Sequence, residues 1–185
     1  RLPEIYLQDV AVREVLRLPP AEEQWLLECW GPSHQESNPI FGRLDAVVNN
    51  ASAFEPDDAF SAAPAAMEHH WRANTAPAVL LAQALHAQLK GGAATGCVVN
   101  LLDQKLWNLN PDYFSYTLSK AALQAATVML AQALAPQLRV CGVAPGVTLV
   151  SGPKMSREEF AAAHAMTPLG RSSTPDDIAR AVRFI

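Results

Sequence analysis

A phenol and an ammonium stand four residues apart at Tyr116 and Lys120, and an acid, Asp103, lies thirteen residues before the first of them. On a helix, positions i and i+4 lie one above the other, so the two side chains point into one space. An ammonium held near a phenol favours the phenolate, and each pKa unit corresponds to about 1.4 kcal/mol. Tyr116 is therefore the candidate proton-transfer group. Asp103 alters that balance. Ionised, it opposes the phenolate; neutral, it can donate a hydrogen bond or a proton to a ring nitrogen. A Tyr and a Lys at this spacing occur on many helices, so their weight depends on the elements around them.

Those elements read as alternating strands and helices. Apolar runs at Leu44–Asn49, Cys97–Leu102 and Arg139–Ala144 suit strands of a buried parallel sheet. Asp103 stands just beyond the carboxyl end of the second run, where catalytic groups of open α/β folds are expected. Asn49-Asn50 ends the first run with turn chemistry, and Pro145-Gly146 follows the third. A long Ala-rich helical stretch fills Ser61–Leu89, with Leu80, Leu81, Leu85 and Leu89 at helical spacing and Pro77 expected to bend or break it. A second helix over Tyr113–Leu134 carries the Tyr and the Lys, and its alanines Ala121, Ala122, Ala125, Ala126 and Ala131 allow close approach of another helix. The glycine-rich run at 91–96 follows a helix and opens a strand, the reverse of a dinucleotide fingerprint, and reads as a turn. A short helix is predicted over Arg157–Ala165, and Thr174-Pro175-Asp176-Asp177 is a helix start with its cap, its proline and its acids in order. Trp107 and Tyr113, in the loop after Asp103, can wall a pocket for a planar substrate.

At 185 residues, 50% hydrophobic and 17% charged, the chain is long enough for one domain with a true core. A net charge of −4 with scattered Lys and Arg disfavours nucleic acid and anionic membrane surfaces. Cys29, Cys97 and Cys141 are widely spaced and odd in number, which suits reduced thiols, and no metal site is expected because His69 and His70 are adjacent without acidic or Cys partners at ligand spacing. With no long apolar segment and no signal-peptide core, a cytoplasmic protein is expected. Residues 1–40 form an atypical, unassigned N-terminal segment, with a short strand in Ile5–Val15 and a helix in Ala21–Trp30, and residues 41–185 form the regular α/β portion.

Taken together, Asn49-Asn50-Ala51-Ser52, Asp103, Tyr116-x-x-x-Lys120 and Pro145-Gly146 resemble the short-chain dehydrogenase/reductase family. An Asp where that family usually places a Ser resembles its pteridine reductase branch, which includes dihydromonapterin reductases. The resemblance implies a partial Rossmann-like, doubly wound parallel sheet with flanking helices, without a counterpart of the family's N-terminal Gly-rich phosphate turn or its final strand, since only Gly31 and Gly42 precede residue 90. It implies NADPH as cofactor, with NADH as the alternative, held by Asn50, Ala51, Ser52, Tyr116, Lys120, Pro145, Gly146 and Thr148. Tyr116 then supplies the proton, Lys120 lowers its pKa and holds the cofactor ribose, and Asn74, in a distorted helix, helps order a proton-relay water. Phe54 resembles one face of a sandwich that stacks a pterin ring against the nicotinamide, with Asp103, Trp107 and Tyr116 completing the substrate site. Residues 151–173 resemble the substrate loop, and the two long helices resemble those through which family members form dimers or tetramers. The function implied is reduction of a C=N bond in a dihydropterin. Two alternatives stay open: a carbonyl reductase acting on a ketone, and a catalytically inactive relative serving as an interaction subunit.

Overall fold

The computed structural model describes residues 44–149 and 156–185. The strand expected in Ile5–Val15, the helix expected in Ala21–Trp30, Cys29 and the first residues of the expected substrate loop lie outside that range. Three strands, β1 (Ala46–Asn49), β2 (Gly96–Leu101) and β3 (Leu138–Val143), form a parallel sheet in the order β1-β2-β3. The register pairs Val47 with Val98 and Val98 with Val140, so one row of β-branched side chains crosses the sheet. Parallel neighbours require a crossover, and helices supply both. This is the α/β arrangement that the alternating pattern predicts, and the Rossmann-like sheet that the resemblance implies.

The first crossover is α1 (Pro64–His70), one wide turn at Trp71–Thr75 and α2 (Ala76–Leu89). Pro77, expected to bend or break this stretch, sits in the first turn of α2. Proline has no N–H and its ring crowds the carbonyl behind it, so the chain widens just ahead: the Ala76 N–H reaches Trp71 O, five residues back. The helical path continues through the disturbance. Beyond it, Leu81, Leu85 and Leu89 recur every fourth position and bury against Val47, Val98, Leu138 and Val140. Gly91, at φ 83°, then turns the chain into β2, a backbone angle that favours glycine.

The second crossover is α3 (Phe114–Leu134), which buries Ser115, Tyr116, Ser119, Lys120, Leu123, Ala126 and Thr127 on one face. The alanines expected to admit another helix divide: Ala126 faces the core, whereas Ala121 and Ala125 lie outward beside the exposed Leu118, Val128 and Met129. After β3 come α4 (Arg157–Ala165) and α5 (Pro175–Phe184), each opened by a reciprocal capping box, Ser156 with Glu159 and Thr174 with Asp177. No helix among the described residues is long and apolar enough to cross a membrane.

Leu85 is fully buried at the centre of the α2–sheet contact. Truncation there removes contacts that the surrounding strands cannot close over, so Leu85→Ala is expected to cost about 2–5 kcal/mol. Urea unfolding should show a lower midpoint with the slope unchanged.

Candidate active site

Asp103 leaves the end of β2 extended, at φ −150° and ψ 138°, and caps the short 3-10 turn Gln104–Trp107. Its carboxylate accepts on both oxygens: the Lys105 N–H lies 2.8 Å from Oδ1 and the Tyr116 hydroxyl 2.6 Å from Oδ2. One turn further along α3, the buried Lys120 ammonium donates to the Leu101 carbonyl at 2.7 Å and lies 5.8 Å from the centre of the Tyr116 ring. The helical spacing does bring Tyr116 and Lys120 to one place. It does not bring ammonium and phenol oxygen into a hydrogen bond.

The electrostatic consequence reverses the expectation for Tyr116. Burial, then the hydrogen bond to Asp103 and that group's charge, push the phenol well above its ordinary value. Tyr116 is therefore a protonated donor at neutral pH, not a ready phenolate. Burial pulls Lys120 the other way, down to about 8, with Asp103 partly opposing the shift. An ammonium has three N–H donors, and among the described residues only Leu101 O accepts from this one. Two donors thus remain available to ligand oxygens. Without a ligand, both Asp103 oxygens are occupied by the protein's own donors.

A second set of contacts fastens the loop after β1. Asn74, buried in the wide turn before Pro77, accepts at Oδ1 from the Ala53 N–H at 2.7 Å and the Ser52 hydroxyl at 3.1 Å. Its Nδ2 donates to Ala53 O at 3.0 Å and to Ser119 Oγ at 2.9 Å. The distorted helix implied by the resemblance is present, but the Asn74 amide is occupied by protein partners. Further on, His70 Nε2 accepts from the Glu55 N–H at 3.3 Å, while its Nδ1 pairs with Ala66 O at 2.9 Å, an arrangement that selects the Nδ1-protonated tautomer. Asp57 then caps α3: Oδ1 takes the Ser115 N–H at 3.0 Å, Oδ2 takes the Ser115 hydroxyl, and its carbonyl takes the Phe114 N–H at 3.3 Å. Phe54, between these anchors, stacks on Tyr113 with ring centres 4.1 Å apart and meets the Tyr116 ring edge-on at 4.7 Å.

The remaining candidates are less concentrated. Asn50 is exposed and Ala51 half-buried at the end of β1, where Asn49 Nδ2 instead donates to Asn100 Oδ1 at 2.7 Å. Asn100 passes the chain on to Thr127 Oγ1 at 2.9 Å. Pro145 O accepts from the Gln104 N–H at 3.1 Å, which holds the loop after β3 against the loop carrying Asp103. Gly146 lies in that loop, and Thr148 Oγ1 donates to Gly146 O at 2.9 Å and lies 2.8 Å from Ser173 Oγ. Trp107 is 64% exposed and has no aromatic partner among the described residues, so it is not brought to Tyr116. No group of three or more metal-ligating side chains occurs among the described residues. Asp57, His70, Asn100 and Ser119 were not picked out as site residues by sequence; Asn100, a polar residue inside an apolar strand, was the one with a local signal.

Comparison with known proteins adds a second line. A family profile described as enoyl-(acyl carrier protein) reductase matches residues 34–185. An uncharacterized oxidoreductase of Methylorubrum extorquens is 36% identical over 154 residues, which cover 78% of this chain and 59% of that protein. The short-chain dehydrogenase/reductase SDRA of Arabidopsis thaliana is 28% identical over 152 residues, covering 78% of this chain and 58% of its own. Among solved structures, FolM alternative dihydrofolate reductase 1 from Brucella canis, described as complexed with NADP, superimposes with a TM-score of 0.73 at 39% identity. That match covers 77% of this chain and 56% of the Brucella protein. The chain thus spans less than two thirds of the length of these relatives.

The Lys120 shift makes stability depend on pH with a definite sign. Between about 8 and 10.5 the unfolded chain holds a proton on Lys120 that the folded chain has released, so stability rises with pH across that window. Tyr116 acts oppositely only above 10, where the unfolded phenol ionises and the folded one does not. The stability difference between Lys120→Met and the parent is therefore expected to shift by about 2 kcal/mol in the parent's favour from roughly pH 7.5 to 9.5. Urea titrations at the two pH values measure it; an unchanged difference would show that Lys120 does not titrate in this range.

Proposed function

Because the chain belongs to the short-chain dehydrogenase/reductase family, we propose that it is an NADPH-dependent reductase of pterin-like substrates, with Tyr116 as proton donor. The observation that carries this reading is the 2.6 Å hydrogen bond from Tyr116 to Asp103, made beside a buried lysine with unused donors. Support also comes from the likeness to FolM alternative dihydrofolate reductases complexed with NADP.

The residues fit the nicotinamide-ribose half of such a cofactor. Lys120, with two N–H groups left over, suits a pair of ribose hydroxyls, and Asn50, Ala51, Ser52, Pro145, Gly146 and Thr148 border the same ends of the strands. When bound, NADPH supplies the hydride. The described residues contain no Gly-rich turn entering a helix of the kind that holds a pyrophosphate. NADH remains the alternative donor.

Tyr116 holds the proton at its hydroxyl because burial and Asp103 oppose its loss. The aminopyrimidine edge of a pterin offers N–H donors that can take over Asp103 Oδ2. That exchange removes the acceptor holding the Tyr116 proton and weakens the opposing charge, which frees the hydroxyl to protonate a ring nitrogen. Lys120, the cation near the phenol ring, offsets the charge left on the oxygen. A ketone has no such donors, so an Asp at 103 favours the heterocycle over the carbonyl substrate. The outward row Leu118, Ala121, Ala125, Val128 and Met129 on α3 supports a homodimer or tetramer formed through the long helices.

Calorimetric titration of the 185-residue chain with NADPH, followed by a dihydrobiopterin reduction assay, tests the reading. Saturable binding is expected, with Tyr116→Phe lowering kcat by about 10²–10⁴-fold. Asp103→Ser should lose pterin reduction while keeping NADPH. Equal turnover by Asp103→Ser would remove Asp103 from the mechanism, and no binding at millimolar NADPH would turn the reading toward the inactive relative.

A further inference from the structure

Phe54 is held by its neighbours in a way that leaves one freedom. Asn74 fixes Ala53 on one side, and His70 and Asp57 fix Glu55 and the chain beyond on the other. The backbone at Phe54 is therefore set, and what remains is the plane of its ring. Tyr113 sets that plane: the two rings are 6° from parallel with centres 4.1 Å apart, whereas Tyr116 touches Phe54 only edge-on, at 84°. Offset parallel rings at this separation attract beyond their buried area.

Tyr113 is itself firmly seated. It is the residue before α3 and the one non-glycine among the described residues with positive φ, at φ 54° and ψ 50°. Such a conformation is uncommon for a bulky residue and persists where the surroundings over-determine it. They do so here. Its carbonyl accepts from the Thr117 N–H at 2.9 Å and the Thr117 hydroxyl at 2.7 Å. The Lys105 ammonium lies 5.8 Å from its ring centre and is tied to Asn110 Oδ1 and, at 2.6 Å, to Asp112 O. The Tyr113 hydroxyl has no partner among the described residues, so the ring and not the oxygen is what this seat holds. Phe54 nevertheless stays 38% exposed, with Tyr113 stacked on one of its two faces.

We propose that Tyr113 is a positioning residue for substrate recognition: stacked behind Phe54, it locks that ring so that its opposite face receives a flat heteroaromatic substrate beside the Tyr116 hydroxyl. The proposal rests on the reading of the site as a pterin reductase. It assigns to Tyr113 no contact with the substrate; the residue acts through Phe54 alone. Its effect therefore falls on capture of the flat ring, not on hydride or proton transfer.

The test is a double-mutant cycle on the 185-residue chain, with dihydrobiopterin and NADPH as probes. Tyr113→Gly removes the ring and suits the positive φ, so the start of α3 keeps its backbone. Tyr113→Phe keeps the stack. We expect Tyr113→Gly to raise KM for dihydrobiopterin about 3- to 10-fold, as for loss of one aromatic stack, with kcat and NADPH affinity within about twofold. Tyr113→Phe should match the parent. In a Phe54→Ala background, Tyr113→Gly should have no further effect on KM. Additive effects of the two changes, a Tyr113→Gly KM equal to the parent's, or a fall in kcat in place of a rise in KM would each overturn the proposal. A parent that binds NADPH but neither binds nor reduces the pterin would overturn the substrate reading and the proposal with it, an outcome distinct from failure of Tyr113 alone. Should Tyr113→Gly prove too unstable to assay, the urea midpoints of the same cycle decide: the losses from Phe54→Ala and Tyr113→Gly must be non-additive if the rings are stacked, and additive losses would count against it.

Discussion

The arrangement of the site depends on how one buried amide is satisfied. A buried Asn that lacked partners would destabilise the fold by about 1–3 kcal/mol for each orphaned group. Asn74 avoids this through Ser52, Ala53 and Ser119, which belong to the loop after β1 and to the helix carrying Tyr116 and Lys120. Ser119 Oγ in turn donates to Tyr116 O at 2.7 Å, so the clamp reaches the turn that carries the phenol. What places Asn74 there is a missing donor elsewhere. Pro77 cannot complete an ordinary helical bond, the turn before it widens, and the side chains of Trp71–Thr75 are rotated from the positions a regular helix would give them. A proline that looks like a break in the sequence thus functions as an adjustment of aim.

The charges follow from that placement. Tyr116 and Lys120 are buried together with Asp103 beside them, and burial acts on the two in opposite senses: it keeps the phenol protonated and encourages the lysine to release its proton. A pair poised so that both members are disfavoured as ions in the free protein has a reserve that a ligand can draw on. Ligand hydroxyls at Lys120 would stabilise the ammonium, and the ammonium would then stabilise a developing phenolate.

Sequence patterns reported the elements well and the contacts poorly, for one physical reason. Apolar runs and caps are local, so β1, β2 and β3 fall within two residues of their expected limits and Arg157–Ala165 is the helix expected. Thr174 with Asp177 could be read as a helix start because a capping box is closed within four residues. Spacing could place Tyr116 and Lys120 on one face, but it carries no information on which atoms meet; the Lys120 ammonium went to Leu101 O, and the expected lowering of Tyr116 became a rise. The anchors of the loop after β1 join residues 15 to 58 positions apart, Glu55 to His70 and Asp57 to Ser115, and no local signal marks such pairs. Trp107, which closes the short turn after Asp103, is left exposed, and its place in the loop could not tell whether it packs on the protein or faces solvent.

The same reasoning explains why an acid at 103 is compatible with this fold at all. A carboxylate partly withdrawn from water, as the half-buried Asp103 is, is tolerated when hydrogen bonds satisfy it. Asp103 Oδ1 finds its donor in the turn it caps and Oδ2 in the Tyr116 hydroxyl, so the free protein meets the requirement with its own groups. A serine in that place would need fewer donors and would leave the phenol less restrained. On the function proposed above, the acid would tie release of the Tyr116 proton to arrival of a ligand that can replace Tyr116 as donor to Oδ2. Selectivity for a donor-bearing ring and timing of proton transfer would then be two results of one exchange of hydrogen bonds.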